Sequence, residues 1–289
     1  MIRFISAICG LLFLAANCCA NITVSVLDLG PSEAGKTVAE KLRWSFREGR
    51  DLVVADPDLT RSAAMGAGYT GSLNLTVGEA RDLGAVLATD FYLLGDAQVL
   101  RRSSFEKPVF YEAYCSVFLV SSRTGRLLAW WRPSFNSDER GQAYDLLLRQ
   151  LADLSGGLSV AMHRATEDER IERTVIPTSP PPLIEEAPDN EKAAEAQGLR
   201  LPRPYRRLRP EYPKSAALAE AEATVDVAVD IGADGEVGEV QVVRWAGFGL
   251  DQATVATVKQ MHFFPAMKNG TAIPMRVLLR YNFRKPPKE

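Results

Sequence analysis

Ala223-Thr224-Val225-Asp226-Val227-Ala228-Val229-Asp230-Ile231 is the stretch on which the reading of this chain turns. Val225, Val227, Val229 and Ile231 fall on one face of an extended chain, and Thr224, Asp226 and Asp230 on the other. Alternation with period two marks a strand with one buried side. The cluster Gly232-Ala233-Asp234-Gly235 follows, its glycines able to take positive φ in a turn. Val237 to Trp245 should therefore return antiparallel as the second arm of a hairpin. Leu250, Ala253, Thr257, Val258 and Met261 recur at helical spacing. Asp251 stands in the first turn, where the macrodipole favours an anion, and Pro265 ends the helix. Lys268-Asn269-Gly270 supplies another turn. Met275 to Phe283 closes the chain as a strand with Met275, Val277, Leu279, Tyr281 and Phe283 on one face. The order β-β-α-β predicts a small antiparallel sheet with one face covered.

These pieces, in this order and spacing, resemble the C-terminal domain of TonB-family proteins. The residues behind the resemblance are Tyr212-Pro213, Asp234-Gly235-Glu236-Val237, Leu250-Asp251-Gln252-Ala253, Phe263-Phe264-Pro265-Ala266, Asn269-Gly270 and Tyr281-Asn282-Phe283. Met261 and His262 stand where many relatives carry a tryptophan. The resemblance implies a domain, over about residues 200–285, that grips other proteins of the bacterial envelope. It implies no catalytic residue, cofactor or metal, so the protein is read as no enzyme. It further implies docking by strand addition, an outer-membrane transporter or another periplasmic protein lending an extended segment beside the last strand. Met275, Arg276, Val277, Leu278, Leu279, Arg280, Tyr281, Asn282 and Phe283 are then the partner-binding residues. Their backbone provides the ladder, and outward Arg276, Arg280 and Asn282 tune selectivity.

The 289 residues allow two ordinary domains, and 46% hydrophobic composition is normal for folded protein. A net charge of −2 argues against chain-wide attraction to nucleic acid. Residues 1–20 read as a secretory signal. Arg3 opens a short basic region, Phe4 to Ala16 form an apolar stretch too short to span a bilayer comfortably, and Cys18-Cys19-Ala20 ends in a small residue before Asn21. The competing reading is an uncleaved anchor from Ile2 to Ala20. Asn17 before Cys18 argues against a lipoprotein signal. The expected location is the periplasm or cell envelope of a Gram-negative cell, with inner-membrane anchoring as the variant. Cys115 is then the single cysteine of the mature chain, expected as a small core residue in an alternating strand. His163 and His262 form no zinc spacing with it.

Residues 21–160 predict an α/β interaction domain. Strands are expected at Ile22 to Leu29 and Leu52 to Ala55, with a helix at Lys36 to Gly49 between them. A second helix starts at Thr76, where Thr76-Val77-Gly78-Glu79 has capping-box spacing, and runs to about Ala88. Three strands follow (Asp90 to Leu100, Val109 to Ser121, Leu127 to Arg132), then a helix from Asn136 to Leu154. This β-α-β-α-β-β-β-α order resembles the periplasmic modules of the curli-secretion lipoprotein, the penicillin-binding-protein activator lipoproteins and the TolB amino-terminal domain. Within it, Gly30-Pro31-Ser32-Glu33-Ala34-Gly35-Lys36-Thr37 matches the phosphate-loop pattern between a strand and a helix. Leu52 to Asp56 could pass for its metal-holding strand. Against that reading, Pro31 removes an N–H from the cradle, Glu33 puts a carboxylate where phosphate would sit, and the later meander is antiparallel.

Residues 161–209 predict a flexible, Pro-rich and charged linker, from Pro177 and Pro180-Pro181-Pro182 among glutamates to Pro202 and Pro204 among arginines. As a coil it would reach on the order of 35–40 Å. Arg200, Arg203, Arg206, Arg207, Arg209 and Lys214 make a basic stretch around Tyr205. Its readings are a solvated linker or a weak contact with anionic envelope surface. Residues 210–285 complete the chain as the TonB-like domain. The fold class is α+β, with two α/β domains. The leading expectation is a non-enzymatic envelope protein that docks a partner in support of transmembrane transport. The alternatives are a membrane-anchored energy transducer for outer-membrane transport and a P-loop nucleotide-binding protein.

Overall fold

The computed structural model describes residues 21–285 except 51, 106, 176–183 and 189. The expected signal or anchor at 1–20 and the prolines at 177 and 180–182 lie outside the described residues. The chain opens with β1 (Ile22–Val26), α1 (Glu33–Gly49) and β2 (Leu52–Val54). α2 (Pro57–Gly66) and α3 (Val77–Leu87) follow. A meander of β3 (Phe91–Arg102), β4 (Phe110–Ser121), β5 (Leu127–Trp131) and β6 (Ser134–Ser137) then leads into α4 (Arg140–Thr174). The sheet order is β2-β1-β3-β4-β5, with β6 also on β4. β1 runs parallel to both its neighbours, and the meander is antiparallel.

β3 and β4 bury residues on both faces, so the sheet is covered on both sides. On one side Val24, Leu93 and Leu119 pack with Leu42 and Phe46 of α1 and Leu147, Leu151 and Leu158 of α4. Tyr92, Leu94, Phe118 and Val120 face the other way, toward Leu83 and Leu87 of α3. α3 starts where its sequence signals: the Thr76 hydroxyl accepts from Glu79 N and the Glu79 carboxylate accepts from Thr76 N, satisfying two otherwise orphan donors.

Three elements depart from expectation. α2 occupies a stretch given no helix, and Asp56 caps it by accepting from Asp58 N and Leu59 N, with Pro57 in the first turn. β6 stands where the last helix was expected to begin. α4 continues through Gly156-Gly157 to Thr174, taking residues 161–174 out of the expected linker. Its buried stripe (Leu147, Leu151, Leu154, Leu158, Met162, Ala165, Glu169) keeps helical spacing throughout. Burial along that stripe outweighs about 1 kcal/mol of propensity lost at each glycine.

The second half begins with β7 (Glu185–Glu186), α5 (Glu191–Ala196), β8 (Leu199–Arg200), β9 (Arg203–Pro204) and α6 (Lys214–Ala219). β10 (Ala223–Ile231), β11 (Val237–Arg244) and α7 (Leu250–Val258) come next. β12 (Phe263–Phe264), β13 (Ala266–Lys268), β14 (Thr271–Ile273) and β15 (Met275–Phe283) finish it. The main sheet is ordered β11-β10-β15-β7. From residue 184 on, the expected free linker lies along this domain: β8 pairs with β13, β9 with β12 and β7 with β15. Leu199 and Ala194 bury against Ala266 and Met275. The order β-β-α-β is kept at β10, β11, α7 and β15, with short strands inserted before the last.

The two halves share one apolar core. Phe118 and Val120 of β4 cluster with Val227, Trp245, Phe248 and Leu250. The Phe118 ring lies 6.2 Å from Trp245 and 5.3 Å, edge-on, from Phe248. Trp245 Nε1 donates to the Gly125 carbonyl at 3.0 Å, giving the buried indole its hydrogen bond. Asn74 spans the junction: its amide donates to the carbonyls of Thr224 and Trp245, and its oxygen accepts from Thr224 N.

Candidate docking edge

β15 is built to be held on one side and open on the other. Nine residues pair antiparallel with β10, from Ala223 opposite Phe283 to Ile231 opposite Met275. On the covered face, Val225, Val227, Val229 and Ile231 are fully buried, and Met275, Val277, Leu279, Tyr281 and Phe283 pack beside them. On the opposite face the pairs are polar. The Arg276 guanidinium donates to both Asp230 oxygens, at 2.5 and 2.7 Å, and Arg280 to both Asp226 oxygens, at 2.7 and 2.9 Å. Thr224 Oγ1 donates to Asn282 Oδ1. Asp226 and Asp230 are buried, so these bidentate partners satisfy carboxylates withdrawn from water. The bond to Asp230 holds the Arg276 guanidinium above its ordinary pKa.

The outer edge can be read rung by rung. The Ala187 N–H donates to the Arg276 carbonyl at 2.8 Å, across the parallel β7–β15 pair. Arg276 therefore points its backbone polar groups outward, and by strand alternation so do Leu278, Arg280 and Asn282. Residues 275, 277, 279, 281 and 283 point theirs at β10. Outward residues form non-hydrogen-bonded pairs with β10, where side chains approach closest, and the Arg–Asp contacts occur at those rungs. Beyond Arg276, no described strand pairs with the outer edge. Leu278, between the two arginines, is 59% exposed. The structure thus gathers all nine sequence-predicted residues on one strand, with Met275 and Phe283 buried in the core rather than offered to a partner.

Sequence reasoning missed two features here. β7 occupies the first two rungs of the edge, opposite Met275 and Arg276, and Glu185 pairs with Lys268 beside it. Two glutamates carry no strand signal, so only the pairing reveals them. Asp251 does more than favour the helix dipole: its carboxylate accepts from Ala246 N and Gly247 N, both at 2.8 Å, and fixes the loop that carries Trp245 and Phe248 into the shared core. Burial pushes its pKa up to about 6, against those two bonds.

The phosphate-loop stretch is tied up by its own helix. Ser32 Oγ accepts from Gly35 N and donates to the Ala97 carbonyl, and Lys36 N donates to the Ser32 carbonyl. Thr37 Oγ1 donates to the Glu33 carbonyl, and Lys36 lies 3.9 Å from the Glu33 carboxylate. A Cβ on Gly35 would fall 1.9 Å from the Leu29 carbonyl oxygen, so that glycine serves close packing. Asp56, the supposed metal holder, caps α2. These contacts describe a strand-to-helix turn. Cys115 is buried, and burial pushes its thiol up to about 12, which keeps it protonated and unreactive. Among the described residues no cluster of three His, Cys, Asp or Glu could hold a metal, and no helix is long and apolar enough to cross a membrane.

The carboxyl-terminal half is thus a sheet of order β11-β10-β15-β7 with α7 packed on it and the β-β-α-β order kept. Residues 209–284 match the family described as Gram-negative bacterial TonB protein C-terminal, and the carboxyl-terminal domain is a TonB-family C-terminal domain. Among solved structures, the Pseudomonas aeruginosa TonB C-terminal domain is 21% identical, covering 30% of this chain and 90% of that one, with a TM-score of 0.27. The hypothetical protein CT253 from Chlamydia trachomatis is 12% identical, covering 48% and 99%, with a TM-score of 0.34. The LpoB C-terminal domain from Escherichia coli is 14% identical, covering 41% and 84%, with a TM-score of 0.28. No curated protein matches the chain.

Proposed function

We propose that this is a non-enzymatic protein of the cell envelope that docks an extended segment of another envelope protein along the outer edge of β15, in support of transport. The observation that carries the reading is that this edge already accepts a strand. β7 adds in parallel at Met275 and Arg276, and the outward groups of Leu278, Arg280 and Asn282 continue the same ladder. Main-chain hydrogen bonds would supply the affinity. The exposed Leu278 and the ion-paired Arg276 and Arg280 would read the side chains of the incoming strand.

The alternation of the backbone provides a sharp test. Leu278→Pro removes an outward N–H while leaving the rungs to β10 intact, and an edge strand tolerates proline there. Leu279→Pro removes an inward N–H and should unfold the sheet. A photo-crosslinking amino acid at Leu278 in envelope-bearing cells identifies the partner, and calorimetry then measures binding of its extended segment to the purified chain. The expected result is no measurable binding to Leu278→Pro, with a circular dichroism melt close to the parent's. Unchanged binding by that variant would overturn strand addition at this edge.

A further inference from the structure

The chain as a whole carries a charge of −2, yet between Arg200 and Lys214 it has six basic residues against the single acid Glu211. The structure fixes part of this stretch in place. β9 pairs antiparallel with β12, Arg203 opposite Phe264 and Pro204 opposite Phe263, and Tyr205 N donates to the His262 carbonyl at 2.9 Å. Phe263 points into the core at 2% exposure. Its neighbour Phe264 must then point outward, and the register puts Arg203 and Tyr205 on that same outward face. Tyr205 and Phe264 are 60% and 57% exposed, with ring centroids 4.2 Å apart.

The cations around this aromatic pair are almost free. Arg203 approaches Glu191 at 3.9 Å, both well exposed, a contact worth little in water. Among the described residues no salt bridge reaches Arg200, Arg206, Arg207 or Arg209, all of them exposed. Three other arginines of this domain are matched: Arg276 with Asp230, and Arg280 and Arg244 with Asp226. Two exposed rings beside Arg203, in a stretch of unmatched exposed guanidinia, suit one environment better than bulk water. At a bilayer surface, aromatic bodies lie at the boundary between headgroups and acyl chains, and guanidinia bind phosphates in forks.

We propose that Arg203, Tyr205, Arg206, Arg207, Arg209 and Phe264 form a patch that binds the surface of a phospholipid bilayer with anionic headgroups. β9 and β12 form a two-stranded sheet apart from the ladder of β15, and Tyr205 to Arg209 follow β9 directly. The protein would therefore rest on a membrane while the outer edge of β15 stays available.

The test uses the chain from Asn21, which retains every described element, co-sedimented with phosphatidylcholine vesicles with and without phosphatidylglycerol. Binding is expected only with phosphatidylglycerol and should weaken as salt rises. The quadruple variant R203Q/R206Q/R207Q/R209Q should bind at least about tenfold more weakly. Y205S/F264S should also lose vesicle binding while its binding to a single-stranded oligonucleotide, a polyanion without a bilayer, stays unchanged. K41Q/R47Q, on α1, and L278P should sediment as the parent does. Melting curves confirm that each variant is folded. Equal sedimentation with both vesicle types, or no loss in the arginine variant, would overturn the proposal. Oligonucleotide binding as tight as vesicle binding, with the aromatic pair dispensable for both, would assign the patch to polyanions instead.

Discussion

Asp251 is a residue whose chemistry the sequence half discloses. Its place in the first helical turn was legible, because Leu250-Asp251 opens an apolar helical pattern. Its partners were not: the amides of Ala246 and Gly247 belong to a loop whose path depends on where Trp245 finds a hydrogen bond in the other half of the molecule. The buried carboxyl titrates near 6 in the fold, against 3.8 unperturbed. Between those values the folded state holds the extra proton, so this group favours folding at pH 4 and that contribution fades as pH rises through 6. The change is about 3 kcal/mol at most. Asn at this position offers one carbonyl acceptor, as the protonated acid does, and removes the titration. The stability of Asp251→Asn relative to the parent should therefore rise between pH 4 and pH 7, by up to about 3 kcal/mol. Urea midpoints of parent and variant at the two pH values check this. A gap that stayed constant with pH would mean that the carboxyl titrates as it does in the unfolded chain.

Elements with a regular pattern were the legible ones. β10 and β15 fall where alternation puts them, and α3 begins at its capping box. The long helix α4 shows how a local signal can mislead: Ser155-Gly156-Gly157 reads as a break, yet the apolar stripe runs on through Leu158, Met162 and Ala165. A Cβ on Gly156 meets nothing within 4 Å, and one on Gly157 has Trp131 Nε1 at 3.9 Å. G156A and G157A should thus each stabilise the protein by about 1 kcal/mol, measured by thermal or urea unfolding. Destabilisation would mean that the helix breaks there. The strands β7, β8 and β9 were illegible for the opposite reason. Each is two residues long, too short for any period, and exists because a partner strand already stands beside it. β7 also bears on docking, since a partner using the whole of β15 must displace it. Ala187→Pro deletes the N–H that reaches the Arg276 carbonyl. If β7 competes, that variant should bind the partner's segment several-fold more tightly, because the competent edge is then more fully populated. Unchanged affinity in calorimetry would show that the partner needs only the rungs from Leu278 onward.

At the scale of the whole molecule, the polar composition of residues 161–209 suggested two bodies on a tether, whereas the fold joins them. Composition reports whether a segment can build its own core; it says nothing of whether the segment can lie on someone else's. The same holds for the faces of the two sheets. Phe118, Val120 and Trp130 in one half and Trp245, Phe248 and Leu250 in the other form a common layer in the structure. Gly247 shows how tight that layer is, since a Cβ there would lie 2.4 Å from the Phe118 ring. A core spanning both halves makes their unfolding one event, because neither can open without exposing the apolar surface of the other. Calorimetry of the chain from Asn21 should then give a single transition with equal calorimetric and van't Hoff enthalpies. Asn74 tests the coupling directly, since it contributes three hydrogen bonds to the junction and nothing to either interior. Asn74→Ala should cost roughly 2–3 kcal/mol and lower the one transition as a whole. If the halves were bodies that merely touch, the variant would instead leave two separate transitions at the positions they hold in the parent.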